Sequence, residues 1–152
     1  MQAQTSSTTT ERQGWMRILA LASWRDLSAC AKAYLDTKHE ILRAPETGLI
    51  MLRGRMGGTG AAFNMGEATV TRCAVRVAGE SEGHAYVMGR NTDHALLAAI
   101  CDGLLQQASQ KAEVMARVID PLRQVIAMKR ETQALKAAAT KVDFFTLVRG
   151  DV

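Results

Sequence analysis

The sequence is poor in aromatic residues, has almost no proline, and contains no long hydrophobic run. Aromatic residues make up 5% of the chain, so aliphatic and small side chains must fill the core, with eight methionines to plug irregular gaps. The longest apolar run, Ala95–Cys101, falls far short of the roughly 20 residues needed to span a bilayer. Residues 1–13 are polar and rich in Ser and Thr, without the apolar stretch of a secretory signal. A cytoplasmic protein with no membrane contact is therefore expected. Cys30, Cys73 and Cys101 are odd in number, widely spaced and free of any CxxC pair. That pattern excludes a disulfide framework, a zinc knuckle and the ligand set of an iron–sulfur cluster. The histidines His39, His84 and His94 are too scattered to complete a metal site, and no metal is expected.

What is present suits one compact domain. The chain has 152 residues, 47% hydrophobic and 22% charged, enough to bury a sizeable core. Residues 1–9 read as a disordered tail, and residues 10–152 as a single domain whose C-terminal part, from about 120 to 152, forms a helical arm. The net charge of +4 leans weakly toward anionic ligands or acidic partners, and Arg supplies most of the 19 basic residues.

The hydrophobic period changes twice along the chain. Trp15, Ile18, Leu19 and Ala22 recur at helical spacing behind Thr10 as N-cap, and a second short helix starts at Ser23 or Asp26. The middle alternates with period two. It predicts strands at His39–Ala44, Leu49–Arg55, Glu67–Val77 and Ala85–Gly89, with a turn at Pro45-Glu46-Thr47-Gly48 and a hairpin connection at Gly79–Gly83. Short connections imply a four-stranded antiparallel meander. An apolar helix capped by Asn91 or Thr92 follows and should lie across the sheet. Asp120-Pro121 reads as N-cap and N1 of a further helix. The fold class is α+β, the meander packed against N-terminal and C-terminal helices.

Few motifs carry chemistry. The loop with Arg53, Arg55, Gly57, Gly58, Thr59 and Gly60 combines glycines that can converge backbone N–H groups on an anion with two guanidinium groups. It matches neither a Walker A loop nor a dinucleotide fingerprint, and its alternative is a plain hairpin connector. Arg72 and Arg76 share a strand face, but the stacking aromatics of an RNA-binding sheet are missing, so no nucleic-acid role is expected. His94, beside Arg90 at a helix start, is either a proton donor or phosphate contact, or a surface or capping residue. Glu46, Glu67, Asp93 and Asp143 have no partner at a spacing that would make an acid–base pair. Phe144, Phe145, Leu147 and Val148, followed by Arg149, put apolar anchors at the chain end, where they must fold back on the core or dock on a partner.

Five strings in order give a resemblance. Arg43-Ala-Pro-Glu46-Thr47-Gly48-Leu49 is similar to an R-x-x-E-T-G-L string, and Arg55-Met-Gly-Gly-Thr-Gly60 to a central R-M-G-G-T-G. Glu67-Ala-Thr69-Val-Thr71-Arg72 with Ala74-Val-Arg76 looks like a long strand. Gly89-Arg90 with His94-Ala95, and the closing segment Ala139–Asp151, complete the set. Together they resemble the PhnG family of phosphonate metabolism over most of the chain. Asn91 stands where the family has an acidic residue, and the Ser/Thr-rich leader is extra. The resemblance implies an accessory subunit of the carbon–phosphorus lyase core complex, with PhnI-like, PhnH-like and PhnJ-like subunits and the ATPase-like PhnL as partners. It implies a transferase reaction in which a phosphonate displaces adenine from MgATP, giving α-D-ribose 1-methylphosphonate 5-triphosphate. The nucleosidase chemistry would belong to the PhnI-like subunit, which would also receive the C-terminal anchors. MgATP would be substrate of the complex, and this chain alone would hold no cofactor. The alternative is a stand-alone small-molecule or anion-binding protein using the Arg/Gly-rich loop.

Overall fold

The computed structural model describes residues 2–140, with residues 2–8 by their backbone alone. The C-terminal anchors Phe144, Phe145, Leu147, Val148 and Arg149 lie outside the described residues. Helix α1 spans Gln2–Leu21 and α2 spans Trp24–Ala31. A 3₁₀ segment, Lys32–Asp36, leads into strands β1 (His39–Arg55), β2 (Ala62–Val77) and β3 (Ser81–Met88). Helices α3 (Thr92–Leu105), α4 (Ala108–Val114) and α5 (Asp120–Ala139) follow. The helix of residues 2–21 starts ahead of the cap expected at Thr10.

The sheet has three antiparallel strands in the order β1-β2-β3, where four were expected. The two strands foreseen at His39–Ala44 and Leu49–Arg55 are one continuous β1. Pro45 does not turn the chain back. It sits where the pairing register shifts, between Arg43 and Glu46, and β1 pairs only with β2. A bulge on an edge strand tolerates a residue without an N–H, so the proline bends β1 without ending it. Gly48, paired with Val70, is not among the positive-φ glycines.

The alternation read for β2 holds along its core half. Thr71, Cys73, Val75 and Val77 are buried on one face, opposite Val87, Ala85, Gly83 and Ser81 of β3, while Arg72 points to solvent. Helix α3 crosses this face. Ala95, Leu97, Ala98, Ala99, Ile100, Cys101, Leu104 and Leu105 are all buried, as expected of a helix apolar nearly all round. Gly83 and Gly103 set how close the helix lies: a Cβ on Gly103 would meet Val77 Cγ2 at 2.5 Å. Leu19, Leu27, Val114, Val118, Ile119 and Leu122 close the core from the other side.

Two of the expected caps form. Ser23 Oγ accepts from the N–H of Asp26 at 3.2 Å, and Asn91 Oδ1 accepts from the N–H of His94 at 2.9 Å. Asp120-Pro121 does not start a new helix. The chain is helical through Asp120, whose φ of −66° and ψ of −45° are those of a helix interior, and the preceding turn, Met115–Ile119, widens to π geometry. A proline lacks the N–H and its ring crowds the carbonyl four residues back. One wide turn relieves both constraints and lets the helix continue.

Beyond Val70, which pairs with Met88, no third strand lies beside β2 among the described residues. The segments Leu49–Arg55 and Ala62–Ala68 therefore leave the body as a two-stranded arm, about 20 Å long at 3.3–3.4 Å per residue. Strand β2 begins at Ala62, where a loop running to Gly66 was expected. Among the described residues, no helix is long and apolar enough to cross a membrane.

Candidate functional site

The family-like strings, far apart in sequence, meet at the base of the arm. Glu46 pairs with Arg72, Thr47 with Thr71 and Leu49 with Thr69 across β1 and β2. Arg72 Nε donates to Glu46 Oε1 at 2.6 Å, and Arg43 Nη1 donates to the same oxygen at 3.0 Å. The Arg72 hydrogen bond, before any other influence, holds the Glu46 carboxyl below its ordinary range. The fully buried Thr71 hydroxyl donates to Gly89 O at 2.7 Å, so the Thr47 hydroxyl, 3.1 Å away, is the donor to Thr71. Gly89 takes a φ of +94°, a conformation open to glycine and costly for other residues. Its N–H returns to Thr69 O at 2.8 Å. These bonds lock both strands of the arm to the turn that leads into α3.

Arg90, next in the chain, is exposed and has no partner among the described residues. His94, four residues on, is buried. Its Nε2 lies 2.9 Å from Leu19 O; a carbonyl can only accept, so Nε2 carries the proton and ties α3 to the end of α1. The Trp24 ring lies 6.5 Å from the imidazole, centroid to centroid. In this state the ring nitrogen is committed to the scaffold.

The glycine loop stands at the opposite end of the arm. Gly57 and Gly58 have φ of +60° and +81°, which closes a tight 3₁₀ turn at Met56–Gly58. The N–H of Gly60 is bonded to Met56 O at 2.8 Å, and Arg55 Nη1 donates to Gly60 O at 3.1 Å. Part of the expected nest therefore bonds within itself. Thr59 follows the turn, exposed, and Arg53 is exposed without a partner among the described residues. About 26 Å of strand, at 3.3 Å per residue, separates Arg55 from the Thr47–Thr71 pair, so Arg55 and His94 do not meet in one site.

Arg72 and Arg76 do share the outer sheet face, and both are paired. Arg76 bonds Glu82 at 2.9 Å and Glu40 at 3.2 Å, and its hydrogen bond is what chiefly holds Glu82 below the usual carboxylate range. The stripe is an alternation of opposite charges, which gives an anion little net attraction.

One cluster went unread in the sequence. Asp102, fully buried on α3, accepts from Arg12 Nη2 at 2.7 Å and Nε at 3.2 Å, from Trp15 Nε1 at 2.8 Å, and from the His84 backbone N–H at 2.9 Å. The signal was there: a single carboxylate inside Ala95–Leu105, an otherwise apolar helix, must be buried with cationic or N–H partners. The cluster joins α1, β3 and α3. All its groups are committed to one another, so it serves the fold.

The three cysteines are free. Burial pushes the Cys101 thiol up to about 12 and raises Cys73 and Cys30, which suits inert thiols. No group of three or more His, Cys, Asp or Glu among the described residues is arranged to hold a metal ion.

Comparison with known proteins agrees with the motifs. The family model described as "Phosphonate metabolism protein PhnG" matches residues 10–150. A curated protein of Rhizobium meliloti (strain 1021), "Alpha-D-ribose 1-methylphosphonate 5-triphosphate synthase subunit PhnG", is 43% identical over 147 residues, covering 93% of this chain and 90% of the relative. With the match spanning both the helical body and the hairpin arm, the chain belongs to the PhnG family of phosphonate metabolism proteins.

Proposed function

We propose that this chain is an accessory subunit of a complex that makes α-D-ribose 1-methylphosphonate 5-triphosphate. In the proposed reaction a phosphonate oxygen attacks C1′ of the ribose of MgATP, the C1′–N9 bond breaks, and adenine leaves while the 5′-triphosphate stays on the sugar. The observation that carries the reading is the 43% identity, nearly end to end, with a relative named as a subunit of that synthase.

The side chains support an accessory role. Displacing adenine needs a group to stabilise the departing base and groups to hold a highly charged triphosphate. Here the buried acid, Asp102, is satisfied by Arg12 and Trp15. The buried histidine is bonded to Leu19, and Glu46 lies between two arginines. These groups build the scaffold, and among the described residues they leave no acid–base pair facing one cleft. The nucleosidase chemistry then belongs to a PhnI-like subunit, with PhnH-like and PhnJ-like subunits and an ATPase-like PhnL completing the assembly. MgATP is the substrate of that assembly, and this chain alone holds no cofactor.

The test is adenine release. The purified chain, incubated with MgATP and methylphosphonate, is expected to release none above the enzyme-free blank. Phosphonate-dependent release by the single chain, at a rate comparable with the assembled complex, would overturn the accessory reading.

A further inference from the structure

The arm is the least self-sufficient part of the molecule. A two-stranded ribbon is marginal in water unless a third strand or a packed layer covers it, and β3 reaches no farther than the Val70–Met88 pair. Its apolar side chains nonetheless face solvent: Leu49 is 63% exposed, Met51 51%, Phe63 46% and Met65 65%. They lie on both faces. Leu49 and Met51, two apart, share one. Phe63 pairs with Gly54, three residues beyond Met51 and so on the other face, and Met65 packs against Gly54 there. Two apolar faces on one thin element are what an inserted element presents, whereas a one-sided patch would suit flat packing. The tip is cationic. Arg53 and Arg55 project there, and Glu67 is the single carboxylate of the arm.

We propose that the hairpin Leu49–Ala68 inserts into a slot of a different protein subunit, a slot with apolar walls and carboxylates at the end that receives Arg53 and Arg55. The charge selects this occupant over a second copy of the chain. Each copy carries +4, and a symmetric pairing of two arms brings like-charged chains together, with one carboxylate, Glu67, against two arginines on each arm. A slot in a subunit with acidic residues at its floor buries both faces and pairs the tip. The inference rests on the reading of this chain as one subunit of a larger assembly and names the element by which it joins.

The experiment co-expresses the full chain, tagged, with the other subunits of the synthase complex, and measures which co-purify. Three variants are compared with the wild type. In one, Leu49→Ser, Met51→Ser, Phe63→Ser and Met65→Ser are combined. In the second, residues 51–67 are replaced by Asn-Gly, which closes a short hairpin after the Ile50–Ala68 pair. The third carries Arg53→Glu and Arg55→Glu. The wild type is expected to bring down at least one subunit. The serine and shortened-arm variants should lose at least nine-tenths of it, the serine variant with the wild-type circular dichroism and melting temperature and the shortened arm with the wild-type melting temperature and only the strand signal of the deleted residues lost, because the arm lies outside the core. The charge-reversal variant should bind at least tenfold more weakly. Equal recovery with the wild-type and serine arms would overturn the proposal and leave the subunit reading standing. If the wild type brings down no subunit, the subunit reading fails and the proposal with it. A wild-type chain that dimerises in light scattering, with a monomeric serine variant, would assign the arm to a second copy and overturn the proposal.

Discussion

Asp102→Ala is expected to cost about 3–5 kcal/mol of folding stability, the range found when one partner of a buried ion pair is removed. The carboxylate is fully buried and answers three donor groups on two other elements: the Arg12 guanidinium and the Trp15 indole of α1, and the His84 N–H of β3. Truncation leaves the indole and the backbone N–H without an acceptor in a site closed to water, and each orphaned donor carries its own desolvation penalty of about 1–3 kcal/mol. It also frees the far half of α1, which Asp102 ties to the sheet. Arg12 is partly exposed and can return to water, so Arg12→Ala should cost less than Asp102→Ala. The measurement is urea unfolding at a common m-value. For a chain of this size the corresponding fall in Tm is about 6–20 °C, at 2–4 °C per kcal/mol. A loss under about 1 kcal/mol would show that the cluster is solvated and peripheral.

Gly83→Ala is the second large effect. A Cβ at this position would stand within bonding-scale distance of the Ala99 carbonyl oxygen and 2.6 Å from the Gly103 nitrogen. Both atoms belong to the backbone of α3, so no rotamer change relieves the clash and the helix must lift from the sheet. Overpacking of this kind costs about 1–3 kcal/mol where side chains can give way, and the upper end or beyond is expected here. Gly14→Ala is the control. Gly14 lies exposed inside α1 with nothing within 4 Å of a new Cβ, and alanine in a helix interior should stabilise by up to about 1 kcal/mol. Opposite signs for the two substitutions, seen in the same thermal or urea assay, are the expected outcome. Equal and small effects would mean that α3 and β3 do not approach as closely as described.

The sequence made the elements with one dominant period easy to read. Alternation puts Thr69, Thr71, Cys73, Val75 and Val77 on one face of β2, and the last four of them are buried, and the apolar run from Ala95 marked α3 as the core helix. The sequence narrows the caps to Ser23 or Asp26 and Asn91 or Thr92, and the first of each pair forms, because side-chain capping is local chemistry. The misreadings came from residues whose meaning depends on tertiary position. Pro45 looked like a turn, and nothing local says that β1 is an edge strand where a proline in a bulge is harmless. Pro121 looked like a helix start, because a π turn that absorbs a proline has no signature in the sequence. Gly83 was assigned to a hairpin connection; its role is close approach to a helix twenty residues away in sequence. For the candidate site, the cross-strand meeting of Glu46 with Arg72 and Thr47 with Thr71 needed the register, which the mistaken four-strand count obscured. The resemblance to a family was legible from motif words alone, whereas the arm that separates the glycine loop from His94 was not.

The central claim, that this chain completes a phosphonate-dependent transferase without carrying its chemistry, is tested most directly by omission. The synthase complex is reconstituted with every subunit, then without this chain, and adenine release from MgATP is followed with and without methylphosphonate. The account predicts methylphosphonate-dependent release by the full set, a loss of at least tenfold when this chain is omitted, and recovery when the purified chain is added back. Undiminished methylphosphonate-dependent release in its absence would contradict the account.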